Sequence, residues 1–410
     1  MTYIKKKKPA PQESASHPRV IGLDVHSQKL AAAVFERSTE LFANSAQARL
    51  VCHKEGTVEA LEALFKKIGK PGDIVVLEAT TNAFVVAERL RALSLEAIVV
   101  KSTTLSSYSE SDRVNDRIDA ENLARAYIDG KAEVVYCPTG REALWRELCF
   151  FYRNATKDTT RCSNRIWAFC SRHGFAIPQR SRKKKCEEVR AQVSAKNWTD
   201  EERFVVENLI EDYTRAVERR ERILRQIGEI VSRTPSMLRI MKILGVRTIT
   251  AFFFAAFVGN VRRFENGKKL VRYIGLNPRV CDSGENVGRN RPISHRGRGD
   301  LRSILIQCAQ AALCRGKSSV HRWARGKLFG KPRGVVVCAL ARKLAMFIWH
   351  ALMGHECPEE TPQGFALKLT KLSSLIGRER LRELGFEKTS AFIAHLSKLS
   401  ATPPPQPILP

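Results

Sequence analysis

The sequence predicts an α/β domain at the N-terminus followed by a mainly helical remainder. Three observations carry this. Residues 19–136 open with short apolar runs of strand length and then alternate helical and strand-like patterns. Residues 137–235 keep helical spacing and show no strand alternation of note. Residues 236–355 join apolar helical runs to a stretch rich in glycine and arginine. Composition shifts divide the chain into a basic, flexible tail (1–18), the α/β domain (19–136), a helical or coiled-coil region (137–235), a mainly helical domain (236–355) and a C-terminal tail (356–410).

The elements follow in order. RVIGLDV (19–25) and KLAAAVF (29–35) are apolar runs separated by a polar HSQ, which suits a hairpin. ARLVCH (48–53) is a third strand candidate, and TVEALEALFKKI (57–68) has helical periodicity. Gly-Asp then opens DIVVLEA, a β-branched run that reaches Glu78. AFVVAERLRAL (83–93) reads as a helix, EAIVVK (96–101) as a strand and DRIDAENLARAYI (116–128) as an amphipathic helix. Three strands followed by helix–strand alternation predict a mixed sheet flanked by helices. Further on, TDEER (199–203) has the form of an N-cap with acidic first-turn residues. Val206, Ile210, Tyr213, Val217, Leu224, Ile227 and Val231 then fall on a 4,3 spacing, with Arg220 at the one polar position. The spacing suits a heptad seam for oligomerisation, and equally an amphipathic helix lying on its own domain. LRSILIQCAQAAL (301–313) is a clear helix.

Charge narrows the function classes. The chain carries 70 Lys+Arg against 42 Asp+Glu, a formal charge of +28. Residues 19–136 hold 15 basic and 17 acidic residues, whereas 236–355 hold 23 and 4. An excess so localised points to a polyanion partner held by the second region. No run of 18 or more apolar residues occurs, so no membrane span is expected. The basic MTYIKKKKPAPQES start lacks the apolar core of a secretory signal. Eleven cysteines, an odd number without a CxxC pair, suit reduced thiols in a cytoplasmic protein better than disulfides or zinc.

The acidic residues of the α/β domain form a pattern. Asp24 closes the first strand, Glu78 closes a later one, and Asp116 and Asp119 are three apart on a helix. Carboxylates at buried strand ends are unexpected for packing. Four converging at one sheet edge would repel unless cations lay between them, and hard oxygen ligands suit Mg²⁺ in phosphodiester chemistry. Each alone would most simply be a turn, cap or solvated residue; the joint arrangement is more specific. In the basic region, MKILGVRTITAFFFAAFVG (241–259) resembles a helix–hairpin–helix turning at Gly245. Beyond it, Arg289, Arg291, Arg296, Arg298 and Arg302 punctuate a glycine-rich stretch suited to holding phosphates. Ser283 lies within it in Asp-Ser-Gly, a setting most often that of a turn residue.

Taken together these motifs resemble the DEDD-type transposases of bacterial insertion sequences, the bridge-RNA-guided serine recombinases. VIGLDVHSQKL, VVLEATTN and NDRIDAENLA match that family's RuvC-like (RNase H-like) domain. ILGVRTITA, RRFENGKKLVRYIGLNP, SG and ISHRGRGDLR match its serine transposase domain. The matches span about residues 19–315; the hairpin reads LGVR where the family more often has PGIG. The resemblance implies an RNase H-like fold at the N-terminus and a Mg²⁺ site on Asp24, Glu78, Asp116 and Asp119. It implies that Ser283 attacks DNA to form a covalent phosphoserine link. It also implies target and donor DNA and a guide RNA as partners, a homo-oligomer, and a nucleoid-associated location. Two other classes stay open: a RuvC-like metal-dependent nuclease in which Ser283 is structural, and a non-catalytic nucleic-acid-binding factor. A kinase-like actin fold fits less well, because Asp24-Val25-His26 stands where Asp-x-Gly would be expected.

Overall fold

The computed structural model describes residues 19–36, 44–102, 115–138, 140–174, 182–195, 198–279, 292–315, 318–355, 357–358 and 360–403. The chain divides into two compact units, 1–138 and 139–410.

The first unit is built on a five-stranded sheet. Its strands are β1 (Val20–Val25), β2 (Lys29–Glu36), β3 (Arg49–Thr57), β4 (Ile74–Glu78) and β5 (Glu96–Val100). They lie in the order β3-β2-β1-β4-β5, with β1, β4 and β5 parallel and β2 antiparallel to both its neighbours. Among the described residues three helices flank it: α1 (Leu61–Ile68), α2 (Ala83–Ala92) and α3 (Asp116–Ile128). The mixed sheet and the hairpin at HSQ match the sequence pattern. β3 runs four residues beyond the expected end at His53 and displaces the start of α1 to Leu61. The added residues KEGT are polar, which β3 tolerates because it is an edge strand paired only with β2.

Strand parity sorts the side chains onto two faces. Ile21, Leu23, Val25, Val75 and Leu77 pack with Leu61, Phe65, Val86 and Leu90 of α1 and α2. Val20, Ile74 and Val76 pack on the other face with Ala120, Leu123, Ala124 and Ile128 of α3. Gly22 lies under α3, where an added Cβ would sit 1.7 Å from the Ala120 carbonyl oxygen and 2.9 Å from the Ala124 nitrogen. The missing side chain lets helix and strand approach closely.

The second unit is helical among the described residues. Two 33-residue helices, α4 (Gly140–Arg172) and α6 (Asp200–Ser232), run antiparallel, with α5 (Arg182–Ser194) between them in sequence. Thr199 and Glu202 form a reciprocal capping box at the start of α6, satisfying two otherwise orphan N–H groups. The 4,3 seam is occupied from within the chain: Val206, Ile210 and Tyr213 pack against Cys162, Ile166 and Phe169 of α4. Ile227 and Val231 instead enter the main core.

That core gathers α7 (Pro235–Met241), α8 (Thr248–Val258), α9 (Gly267–Ile274), α10 (Gly299–Arg315), α11 (Ser319–Lys327) and α12 (Arg333–Met353). α8 is apolar all round and central, with Phe252, Phe253, Phe254 and Phe257 fully buried. Each such ring contributes about 1.5–3 kcal/mol by leaving water. Among the described residues α12 is the one helix long and apolar enough to cross a membrane, although the sequence contains no continuous apolar run of that length. Here Leu340, Leu344, Ala345 and Ile348 of α12 belong to the core. The C-terminal region, which carries no motif, forms α13 (Pro362–Ile376), α14 (Arg378–Glu383) and α15 (Thr389–Ser400). Leu369, Leu372, Phe392 and Leu396 complete the same core.

Candidate active site

Parity and one close helix contact assemble the acidic site. Asp24 shares the face of Val20 and Gly22 on β1, and Glu78 shares that of Ile74 and Val76 on β4. Both stand at the carboxyl ends of neighbouring parallel strands, one residue beyond the Leu23–Leu77 pair. The chain departs from β1 towards β2 on one side and from β4 towards β5 on the other. Ligands of open α/β sheets gather at such a reversal, outside the carboxyl ends of the strands. α3 lies across this face with Ala120 and Ala124 over Gly22. Its sheet-facing stripe begins one turn earlier with Asp116 and Asp119.

Several contacts fix that first turn. Asn115 caps α3 by accepting a bond from the Arg117 N–H at 3.1 Å. Arg117 Nε donates to Glu55 of β3 at 2.6 Å, and His53 of β3 lies 2.9 Å from Glu121. The N-terminal end of the helix dipole adds positive potential at the carboxylates.

The four predicted carboxylates act on one another. Asp24 is buried, and its carboxyl is raised above the ordinary value first by burial and then by Asp119, Asp116 and Glu78, while His26 pulls the other way. Asp119 is raised by burial and then by Asp116. Like charges brought together without a partner favour protonation, and a bound dication would relieve that strain. Oxygen donors of this kind fit a hard divalent ion.

Two residues absent from the predicted set join them. His26 Nε2 lies 3.2 Å from Asp24 Oδ2 and 3.3 Å from Asp116 Oδ1. Asp24, His26 and Asp116 offer donor atoms within 4.8 Å of one another, a spacing that one ion can bridge. Asn82, at the start of α2, donates to the His26 carbonyl at 3.0 Å and accepts from Thr80 at 3.2 Å. It thereby ties the segment after Glu78 to the β1–β2 turn. The sequence signal for His26 was its place two residues after a strand-end Asp; Asn82 carried none beyond its suitability as a helix cap.

In the second unit, Ser283, Arg289 and Arg291 lie outside the described residues. The chain on either side of residues 280–291 is joined into a neck. Pro278 and Ile293 form an antiparallel bridge, Arg279 N–H donates to the Pro292 carbonyl at 3.1 Å, and Ser294 N–H donates to the Asn277 carbonyl at 2.8 Å. The Ser294 hydroxyl donates to Asn277 Oδ1 at 2.9 Å. Of the remaining arginines, Arg296 is exposed. Arg298 stacks 4.3 Å over Phe257 and pairs with Asp300. Arg302 donates to the Ile274 carbonyl at the end of α9 and to the His295 carbonyl. The Arg302 guanidinium thus ties the chain beyond the neck to α9 and supplies a donor to a carbonyl that a helix end leaves open.

Around Gly245 the chain runs as α7, a turn and α8; the helix expected to open at Met241 ends there instead, and residues 242–247 form the turn. Gly245 takes φ +78°, and a Cβ there would lie 2.7 Å from the Cys308 carbonyl oxygen of α10, so both conformation and packing require glycine. Buried Lys368 of α13 donates to the Met241 and Ile243 carbonyls at 2.7 and 2.8 Å and pairs with Glu360. Arg247, at the start of α8, is exposed.

Residues 237–323 match the family model described as Transposase IS116/IS110/IS902 family. The chain is 26% identical over 317 residues to a probable family 20 transposase of Pseudomonas aeruginosa, covering 75% of this chain and 91% of the relative. It is 25% identical to the transposase for insertion sequence element IS1328 of Yersinia enterocolitica, covering 68% and 83%. It is 26% identical to the transposase for insertion sequence element IS1111A of Coxiella burnetii, covering 69% and 78%. These comparisons support a DNA transposase enzyme.

Proposed function

We propose that this chain is a transposase of an insertion sequence element that breaks and rejoins DNA through Ser283, assisted by a divalent-metal site on an RNase H-like domain. One observation carries the reading: Asp24, Glu78, Asp116 and Asp119 converge at one end of the sheet in a chain whose residues 237–323 match a transposase family model. The mixed sheet, with its carboxylates at the ends of the parallel strands, supports the RNase H-like assignment.

Asp24, Glu78, Asp116 and Asp119 would hold the ion, with His26 as a neighbouring nitrogen donor. Bound there, Mg²⁺ would neutralise charge developing on the phosphate and the leaving oxygen. Ser283 Oγ attacks the phosphorus as the bond to the leaving deoxyribose oxygen breaks, and the serine proton ends on that oxygen as a free hydroxyl. The phosphodiester energy is kept in the Ser–O–P link until a hydroxyl of a second strand displaces the serine. Arg289, Arg291 and Arg296 hold the phosphate chain, while Arg302 ties the end of α9 to the His295 carbonyl. A guide RNA supplies target and donor sequence by pairing, so the protein reads backbone and shape.

The test is strand exchange on DNA carrying the ends of the parent element. Asp24→Asn, Glu78→Gln and Ser283→Ala should each lower it by at least about 100-fold. Strand breakage that survives Ser283→Ala but not Asp24→Asn would replace this reading with the metal nuclease. Sequencing of RNA co-purified with the protein tests the guide: one defined, structured species is expected, and its absence would favour a direct DNA reader.

A further inference from the structure

We propose that the turn between α11 and α12 is a second DNA contact, in which Phe329 stacks on an unpaired or unstacked base while the surrounding cations hold the adjoining phosphates. Phe329 is 96% exposed, and its neighbour Leu328 is exposed as well. Single exposed apolar residues are ordinary. This one stands at the tip of a tight turn closed by the Gly330 N–H on the Lys327 carbonyl. Exposed Arg322, Arg325, Lys327, Lys331 and Arg333 surround it in sequence. Between Asp300 and Glu356 the chain has ten Lys or Arg and no acidic residue at all. The cations therefore have no carboxylate of their own segment to pair with.

The turn is firmly based. Ala324 of α11 and Val336 of α12 are buried in the main core, and Lys343 of α12 lies 4.5 Å over the Trp323 ring of α11. A ring held out from a fixed base loses little freedom on binding, which suits a stacking platform or a wedge. Charge complementarity selects the occupant. An aromatic tip ringed by cations matches a nucleic acid, which offers a π-face beside a phosphate; a neutral protein groove would leave the five charges unanswered. DNA is the occupant to which the inference commits, and on this point it rests on the proposed function. A step that unstacks or unpairs a base is where strand exchange would present such a face.

The test uses the full-length protein in EDTA, so that binding is measured without strand breakage. The probes are 2-aminopurine-labelled DNA as a perfect duplex, the same duplex with a single-base bulge, and a single strand. Wild type should quench the bulged and single-stranded probes. Phe329→Ala should weaken binding to both by about tenfold, leave the perfect duplex within about twofold, and abolish the quench; Phe329→Trp should restore it. Replacing Lys327 and Lys331 together by Gln should reduce the salt dependence of binding by roughly 1.5 in log–log slope. Unchanged affinity of Phe329→Ala for bulged DNA would overturn the proposal. So would an equal loss on perfect duplex, or, with a matched RNA strand and anionic lipid vesicles as parallel probes, a loss confined to either of these. Binding is read in EDTA without strand breakage, so failure of the strand-exchange reading would appear separately.

Discussion

Gly22→Ala tests how the acidic site is assembled, without touching any acidic residue. The new Cβ would lie 1.7 Å from the Ala120 carbonyl oxygen, where ordinary contact begins near 3.4 Å, so α3 must retreat by about 1.7 Å. Overpacking of that kind costs about 1–3 kcal/mol, or roughly 10 °C in melting temperature for a unit of this size. The functional cost should be larger. Asp116 and Asp119 move with α3 while Asp24 and Glu78 stay on the sheet, and misplacement by about 1 Å can lower a rate roughly 100-fold. Thermal unfolding, calorimetric titration with Mn²⁺ and Mg²⁺, and strand exchange measure the three consequences. Gly56→Ala on β3 is the control, because its added Cβ would meet only the side chains of Leu64 at 3.4 Å and Leu30 at 3.6 Å. A Gly22→Ala protein with wild-type melting, metal affinity and strand exchange would refute the reasoning.

Two further predictions concern buried charge. Asp24 and Asp119 keep their protons to higher pH when folded than the 3.8 of a free carboxyl. The folded state then binds more protons, so their contribution is greatest below that value and is lost as pH rises through their folded pKa values. In EDTA the melting temperature should fall as pH rises through their folded pKa values, other groups being equal; Asp24→Asn should flatten this slope and reduce the gain from added Mg²⁺. A steeper slope in Asp24→Asn would contradict the assignment. Lys368→Met leaves Glu360 and the Met241 and Ile243 carbonyls without their donor. Breaking a buried pair in this way should cost about 3–5 kcal/mol in urea unfolding, and adding Glu360→Gln should recover part of it; a loss below about 1 kcal/mol would show the lysine to be dispensable.

How much the sequence revealed depended on the range of the signal. β1, β2, β4 and β5 were legible because their apolar runs are continuous, and Asp24 and Glu78 stood out as charges ending such runs. The end of β3 was not legible, since an edge strand may be polar and KEGT carries no apolar alternation. The seam from Val206 to Val231 was visible, but spacing cannot say who occupies it; the answer is α4 of the same chain for its first half and the main core for its second. Arg298 and Arg302 read as phosphate ligands because an arginine in or beside a glycine-rich stretch reads alike whether it faces DNA, Phe257 or the end of α9. Gly22 did carry a readable message. A glycine inside a buried strand marks a close backbone approach, and here the approaching group is the helix that brings two of the four carboxylates.

The most direct test of the account is peptide mapping of the protein after denaturation during strand exchange in Mg²⁺. The account predicts a DNA remnant joined through phosphate to the peptide bearing Ser283, absent from Ser283→Ala and strongly reduced in Asp24→Asn. Broken DNA with no protein attached, or a remnant on a different side chain, would contradict it.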